Sequence, residues 1–231
     1  EERNLDHVAY AGPVNAASLD AEMPVYATLL DTSNFETDSL TFEEPTFRGA
    51  LSYHVTDDVM IFGSVSRGFK SGGFNTGATS DPIEASIVKP EKLMAYEAGI
   101  KSEWFDRSLR ANAAAFYYDY TDLQVFGLAP GAVPTQTLFN AKEAEIRGFE
   151  FDVTSIPVTG LQLSFAGTYL DAEYTDFVTP IGQNFSGNTM VASPEWSLVA
   201  RGRYETGPIW NDLKLVASAD ASYTGDQYFD T

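Results

Sequence analysis

Residues 46–55 read TFRGALSYHV, and they divide by parity. Phe47, Gly49, Leu51, Tyr53 and Val55 fall on one side of an extended chain, and Thr46, Arg48, Ser52 and His54 on the other. A strand turns successive side chains to opposite faces, so this pattern is that of a strand with one apolar and one wet face. The division recurs along the chain. Tyr96, Ala98, Ile100 and Trp104 oppose Glu97, Lys101 and Glu103, and Leu161, Leu163, Phe165 and Tyr169 oppose Gln162, Ser164 and Thr168. Trp196, Leu198, Ala200 and Tyr204 oppose Ser197, Arg201, Arg203 and Glu205; Leu213, Leu215, Ala217, Ala219 and Tyr223 oppose Lys214, Ser218, Asp220 and Ser222. Weaker alternation runs through 59–66, 109–118 and 143–155. The count is about eight strands, most of them longer than the ~5–6 residues usual in globular sheets.

The connections alternate in length. Short ones sit at Asp57-Asp58, Asp106-Arg107-Ser108, Pro157 to Gly160 and Gly207 to Asp212; long ones run through 75–90, 127–140 and 175–194. Tyr96 and Trp104 share a face eight residues apart, and so do Trp196 and Tyr204. Eight steps of ~3.3 Å tilted by ~40° project to roughly 20 Å, close to the ~25 Å apolar band between the aromatic girdles of a membrane barrel. A soluble sandwich has no reason to end its apolar face in Trp and Tyr at that interval. The expected fold is therefore all-β, an antiparallel up-and-down transmembrane β-barrel wall.

Bulk properties fit without deciding the matter. The 231 residues are 44% hydrophobic, with a mean hydropathy of −0.17. No run approaches the ~20 apolar residues of a spanning helix, and a barrel strand hides its apolar residues by alternation. The net charge of −19 excludes nucleic acid as a partner, because phosphate neutralisation demands clustered Lys and Arg. Residues 1–44 hold ten acids against the single base Arg3, which reads as an extracellular acidic loop preceding a barrel segment, 45–231. There is no Cys, and the two histidines, His7 and His54, are 47 positions apart, so neither thiol chemistry nor a histidine metal site is expected. The chain opens on EERNLDH without Met and stops at YTGDQYFDT while a strand pattern is still running, as a piece of something longer would.

Residues 63–71, GSVSRGFKS, look almost like a phosphate-binding loop. In that motif Lys follows the second Gly directly and a helix comes next. Here Phe69 intervenes and SGGFNTGATSDP follows. The glycines are expected to serve a turn, with Gly72 and Gly73 adopting φ values that other residues resist. No GxSxG, HExxH or distinctive carboxylate pair is present, so an enzyme is not expected and no cofactor is implied.

Four segments in succession carry a family resemblance: YHVTDDVMIFGSVSRGFKSGGFN (53–75), PEKLMAYEAGIKSEWFDRSLRANAAAFYYDYTDLQV (90–125), NAKEAEIRGFEFDV (140–153) and GLQLSFAGTYLDAEYTDF (160–177). Together they resemble the later barrel strands of TonB-dependent outer-membrane receptors of the ferric-siderophore type. The resemblance implies a 22-stranded barrel in the outer membrane of a Gram-negative bacterium, a size class whose lumen is plugged. It also implies uptake of a ferric siderophore, driven by a TonB-type energy-coupling protein acting through an N-terminal part outside this chain. Neither the plug, the early strands nor the closing strand is recognisable, so the chain reads as about eight strands of that wall. The alternative is a small passive or structural barrel, porin-like, since eight strands is also the smallest membrane-barrel count. A soluble glycan-binding module is a third reading.

Alternation assigns the candidate positions. Ile100, Trp104, Leu163, Phe165, Trp196, Leu198 and Leu215 are expected to face lipid, while Lys70, Gly72, Gly73 and Asn75 form an extracellular rim or loop. Arg67 extends the outward face of Ile61 and Val65, and Arg147 that of Phe149, Phe151 and Val153. Both are candidate contacts to lipopolysaccharide phosphate, which a guanidinium binds bidentately; the plainer reading is a snorkelling side chain. Loop 127–140 carries no charge and loop 175–194 only Asp176, so these loops show no basic cage for a polyanionic chelate.

Overall fold

The computed structural model describes residues 2–10, 35–74, 87–129, 135–179, 182–209 and 211–229. The strands are β1 (Glu2–Tyr10), β2 (Phe35–Glu43), β3 (Phe47–Thr56), β4 (Val59–Lys70), β5 (Gly73–Phe74), β6 (Ile87–Val88), β7 (Glu91–Trp104), β8 (Leu109–Ala129), β9 (Thr135–Val158), β10 (Leu161–Asp176), β11 (Trp196–Glu205) and β12 (Val216–Thr224). One sheet holds eight of them in the order β12-β11-β10-β9-β8-β7-β4-β3, so each strand lies beside its neighbour along the chain once β5 and β6 are set aside. The resolved pairings are antiparallel, from Phe47↔Arg67 to Leu198↔Tyr223. This is the expected meander, with the expected strand count in the sheet. Among the described residues β3 and β12 each have one neighbour, and both are exposed along their whole length.

The chain forms two compact units: Glu1–Pro45, Phe69–Glu91 and Asp122–Asn140 make one, and Thr46–Gly68, Lys92–Thr121 and Ala141–Thr231 the other. In the second unit the short connections close as turns at 57–58, 105–108 and 159–160. Phe105, Asp106 and Arg107 all take left-handed backbone there, with φ of 54°, 53° and 67°. The connection after β10 is not free loop. Tyr174 and Phe177 are buried, Phe177 stacks between Tyr174 and Phe185 at 5.2 and 5.4 Å, and bridges join Glu173 to Thr189 and Val178 to Asn184.

Several expectations need correction. The acidic stretch 1–44 contains paired strand, β1 against β2 from Glu2↔Glu43 to Tyr10↔Phe35, because local charge does not prevent a backbone ladder from forming. Most of 127–140 is strand as well, since β8 runs to Ala129 and β9 begins at Thr135. The uncharged run GLAPGAVPTQTLFN lacks the alternation by which a strand is read from residue types alone. Leu215 precedes β12 instead of lying within it; its carbonyl accepts from the Thr206 N–H at 2.9 Å. Gly72 and Gly73 are not left-handed; the positive-φ glycines among the described residues are Gly160, Gly182 and Gly187. Gly72 is required for a different reason: a Cβ there would sit 2.3 Å from the Val88 carbonyl oxygen and 2.8 Å from the Phe42 ring.

Close approach also fixes Gly148 in β9, where an added Cβ would lie 2.1 Å from the Tyr169 carbonyl oxygen and 2.9 Å from the Phe116 ring. At Gly202 in β11 the nearest atom would be 3.6 Å away, an ordinary contact. Gly148→Ala should therefore cost ~1–3 kcal/mol as the β9–β10 ladder opens, and Gly202→Ala close to nothing. Urea unfolding of the refolded full-length protein, read by heat-modifiable gel mobility, measures both; equal midpoints for the two variants would contradict this packing.

Candidate functional site

The second unit has two chemically distinct faces. Register places Leu163 opposite Gly202, Phe165 opposite Ala200 and Val153, Gly167 opposite Leu198 and Phe151, and Tyr169 opposite Trp196 and Phe149. These residues share one face, which is apolar. At its rim Phe149, Tyr169 and Trp196 pack as a trio with ring centroids 5.1–5.8 Å apart. Tyr96 and Tyr117 pair directly across β7 and β8 at 6.3 Å. Ile100, Trp104, Leu163 and Phe165 are all exposed there, though the chain buries large side chains elsewhere. Apolar side chains held in the open along several adjacent strands are matched to a nonaqueous surrounding.

The opposite face is polar and lines an open trough of about 1050 Å³ across β3, β4, β7, β8, β9 and β10. Arg48, His54, Glu97, Lys101, Arg110 and Asp152 project along it. The Asn112 amide donates to both oxygens of Asp152, at 3.1 and 3.0 Å, which ties β8 to β9 and places these two residues on the same face. Arg110 bridges to Glu103 at 3.3 Å, and the Lys101 ammonium lies 5.6 Å from the Phe62 ring centroid. Mixed charges partnered by their neighbours suit a hydrated surface, along which they present donors and acceptors.

Positions at the rim divide. Arg67 stands opposite Phe47 on the apolar face, two residues beyond Val65. Arg147 shares that face, opposite Asp171, but its Nε and Nη2 both donate to Asp171 Oδ2, at 2.9 and 2.8 Å. Glu145 and Glu173 oppose each other one step further along. Asp171 could not be foreseen as its partner, since the pairing needs the β9–β10 register. Lys70 ends β4, Gly72 leads into β5, which Gly73 begins, and Asn75 lies outside the described residues.

The first unit holds an amide network that alternation could not foretell. The Gln124 side-chain amide donates to the Ser71 and Lys89 carbonyls at 3.0 and 3.1 Å, and the Gln124 N–H to Glu91 at 2.9 Å. Asn140 accepts from the Lys89 N–H at 2.9 Å and donates to the Lys89 and Asp122 carbonyls at 3.1 and 2.8 Å. Asp122, left-handed at φ 54°, also pairs with Lys89 at 3.5 Å. Two amides thereby satisfy backbone groups of three separate segments, at Ser71, Lys89 and Asp122. No group of three or more potential metal ligands occurs among the described residues.

Residues 26–231 match the family described as TonB dependent receptor-like, beta-barrel. The chain is 32% identical over 130 residues to a pesticin receptor of Yersinia pestis, covering 55% of this chain and 18% of that protein. To the metal-pseudopaline receptor CntO of Pseudomonas aeruginosa it is 28% identical over 209 residues, 89% of this chain and 27% of that one. Among solved structures, the ferric yersiniabactin uptake receptor FyuA from Yersinia pestis superposes with a TM-score of 0.68 at 20% identity, covering 85% of this chain and 28% of its own. The chain thus spans under a third of the length of these relatives.

If the apolar face meets hydrocarbon, Leu163→Arg or Leu198→Arg should cost ~2–4 kcal/mol, whereas Thr168→Arg, opposite Ser197 on the polar face, should cost far less. Folding free energies measured in bilayer vesicles decide it; equal costs on both faces would contradict the assignment.

Proposed function

The chain belongs to the TonB dependent receptor-like β-barrel family, and on that premise we propose that the protein carrying it imports a chelated nutrient, a ferric siderophore, by TonB-coupled transport. The family is one of outer-membrane receptors and transporters of Gram-negative bacteria, not of enzymes. The observation that carries the proposal is the two-faced eight-stranded meander itself, in a chain whose relatives include receptors named for pesticin and metal-pseudopaline and whose fold matches a ferric yersiniabactin receptor. In this reading the apolar face with its aromatic rim sits in lipid. The polar trough lines a lumen wide enough to hold a plug, and a TonB-type protein acts on a part outside this chain. The substrate is released unchanged, so the polar wall needs hydration and reversible hydrogen bonds, with no nucleophile or metal.

A small passive barrel is the weaker reading. Eight strands that closed on themselves would pair β3 with β12, and among the described residues each of these has a single neighbour. Lipopolysaccharide is the further partner proposed, through the two rim arginines of the apolar face, Arg67 and Arg147. At Arg147 a phosphate would have to displace Asp171 and then face Glu145 and Glu173 nearby.

Deleting the gene should abolish growth under iron limitation on one class of ferric siderophore within a panel and leave growth on free iron intact. Unchanged growth on every iron source would overturn the siderophore assignment.

A further inference from the structure

Past its pairing with β11, the end of β10 continues into a closed hairpin of the second unit. The Met190 N–H donates to the Ala172 carbonyl at 2.9 Å and the Tyr174 N–H to the Asn188 carbonyl at 3.0 Å. Further out, the Phe185 N–H reaches the Phe177 carbonyl and the Thr179 N–H the Gln183 carbonyl, both at 2.8 Å. Side chains fasten the same segment: the Phe177 N–H donates to the Ser186 hydroxyl and the Ser186 N–H to Asn184 Oδ1, both at 2.9 Å. Tyr174 stands opposite Ala144 in β9, in phase with Ser164 and Thr168 and hence on the polar face. Its side chain is fully buried, and Phe177, 3% exposed, packs its ring against those of Tyr174 and Phe185. Segments that open easily have few buried apolar contacts and exposed backbone bonds. This one has an aromatic core of its own.

The hairpin stands at the end of β10 away from the turn at 159–160, the end that faces outward if the short turns are periplasmic. Its aromatic core lies on the face that lines the polar trough, so the segment forms part of the rim past which a solute reaches that wall. We propose that the β10–β11 connection is a fixed wall of this mouth: it keeps one conformation with and without substrate, and any closure over a bound chelate falls to other segments. A wall already ordered adds no conformational cost when substrate binds, and its shape selects what fits. This rests on the reading of the protein as an importer of a ferric siderophore.

A covalent lock separates a fixed wall from a moving one. Glu173 and Thr189 bridge as a non-hydrogen-bonded pair, because the bonds on either side join Ala172 to Met190 and Tyr174 to Asn188. Such pairs hold their Cα atoms ~4.5 Å apart, within the ~4.4–6.8 Å that a disulfide spans without moving the backbone. Glu173→Cys with Thr189→Cys is made in the full-length receptor, expressed in cells lacking the parent gene, and assayed for uptake of radioactive iron from each ferric siderophore of the panel. The two thiols should oxidise in the outer membrane, seen as loss of maleimide labelling, and uptake should equal the parent's with and without reductant. Phe177→Ala should lower uptake about tenfold, the scale of leaving one residue to be ordered at binding, and the disulfide added to Phe177→Ala should restore it. Should Phe177→Ala fail to reach the membrane, the lock alone decides. Thiols that stay open to maleimide, locked uptake that falls and returns with reductant, or parental uptake by Phe177→Ala would each overturn the proposal. A parent that takes up iron from no member of the panel would instead overturn the siderophore reading on which it rests.

Discussion

A peptide group placed in hydrocarbon has no water to bond, so each N–H and C=O must find a partner within the protein. For strands, the partner is the next strand, and the requirement passes from neighbour to neighbour across the sheet. The order β12-β11-β10-β9-β8-β7-β4-β3 is the simplest answer, since each new strand is laid against the one just made. Continuous pairing then fixes the rest. Once Tyr169 stands opposite both Phe149 and Trp196, every second residue to either side is committed to the same surroundings, and the apolar and polar faces become properties of the whole sheet.

The two faces divide the chemistry. On the apolar side, large side chains remain exposed and rings meet along the face, at Phe149–Tyr169–Trp196, Phe151–Phe165 and Tyr96–Tyr117. On the polar side, charges are partnered locally: Asp152 by Asn112, Glu103 by Arg110 and Arg107. At the end of β11, Arg203 and Lys214 both donate to the Glu205 carboxylate, at 2.7 and 3.1 Å. Individually such exposed pairs contribute little stability. Their effect is to keep the polar face hydrated while opposite charges offset one another locally.

The sequence made the strands that alternate legible, together with their order and their faces, because parity survives in residue type alone. TFRGALSYHV and the residues from Leu161 to Tyr169 needed nothing more. What it concealed depends on partners distant along the chain. The upper parts of β8 and β9 do not alternate, and a run such as GLAPGAVPTQTLFN reads as loop unless the neighbouring strand is known. The carboxylate that takes Arg147 lies 24 positions away and becomes its partner only through the β9–β10 register. Gln124 and Asn140 carry no pattern at all, and their role follows from a left-handed Asp122 that no composition rule marks. Glycine misled in the opposite direction: Gly72 suggested a turn, and its true constraint is the Val88 carbonyl beside it.

The central claim is that residues of β10 alternate between lipid and an aqueous lumen, and because this chain contains no Cys, a thiol introduced into β10 is the only one in this part of the wall. Single cysteines at 162 through 169 of the full-length protein, spin-labelled in outer-membrane vesicles, should alternate in accessibility. Positions 163, 165, 167 and 169 should respond to oxygen dissolved in the bilayer, and 162, 164, 166 and 168 to a water-soluble nickel chelate. Uniform accessibility along the strand, or alternation in the opposite phase, would contradict the account.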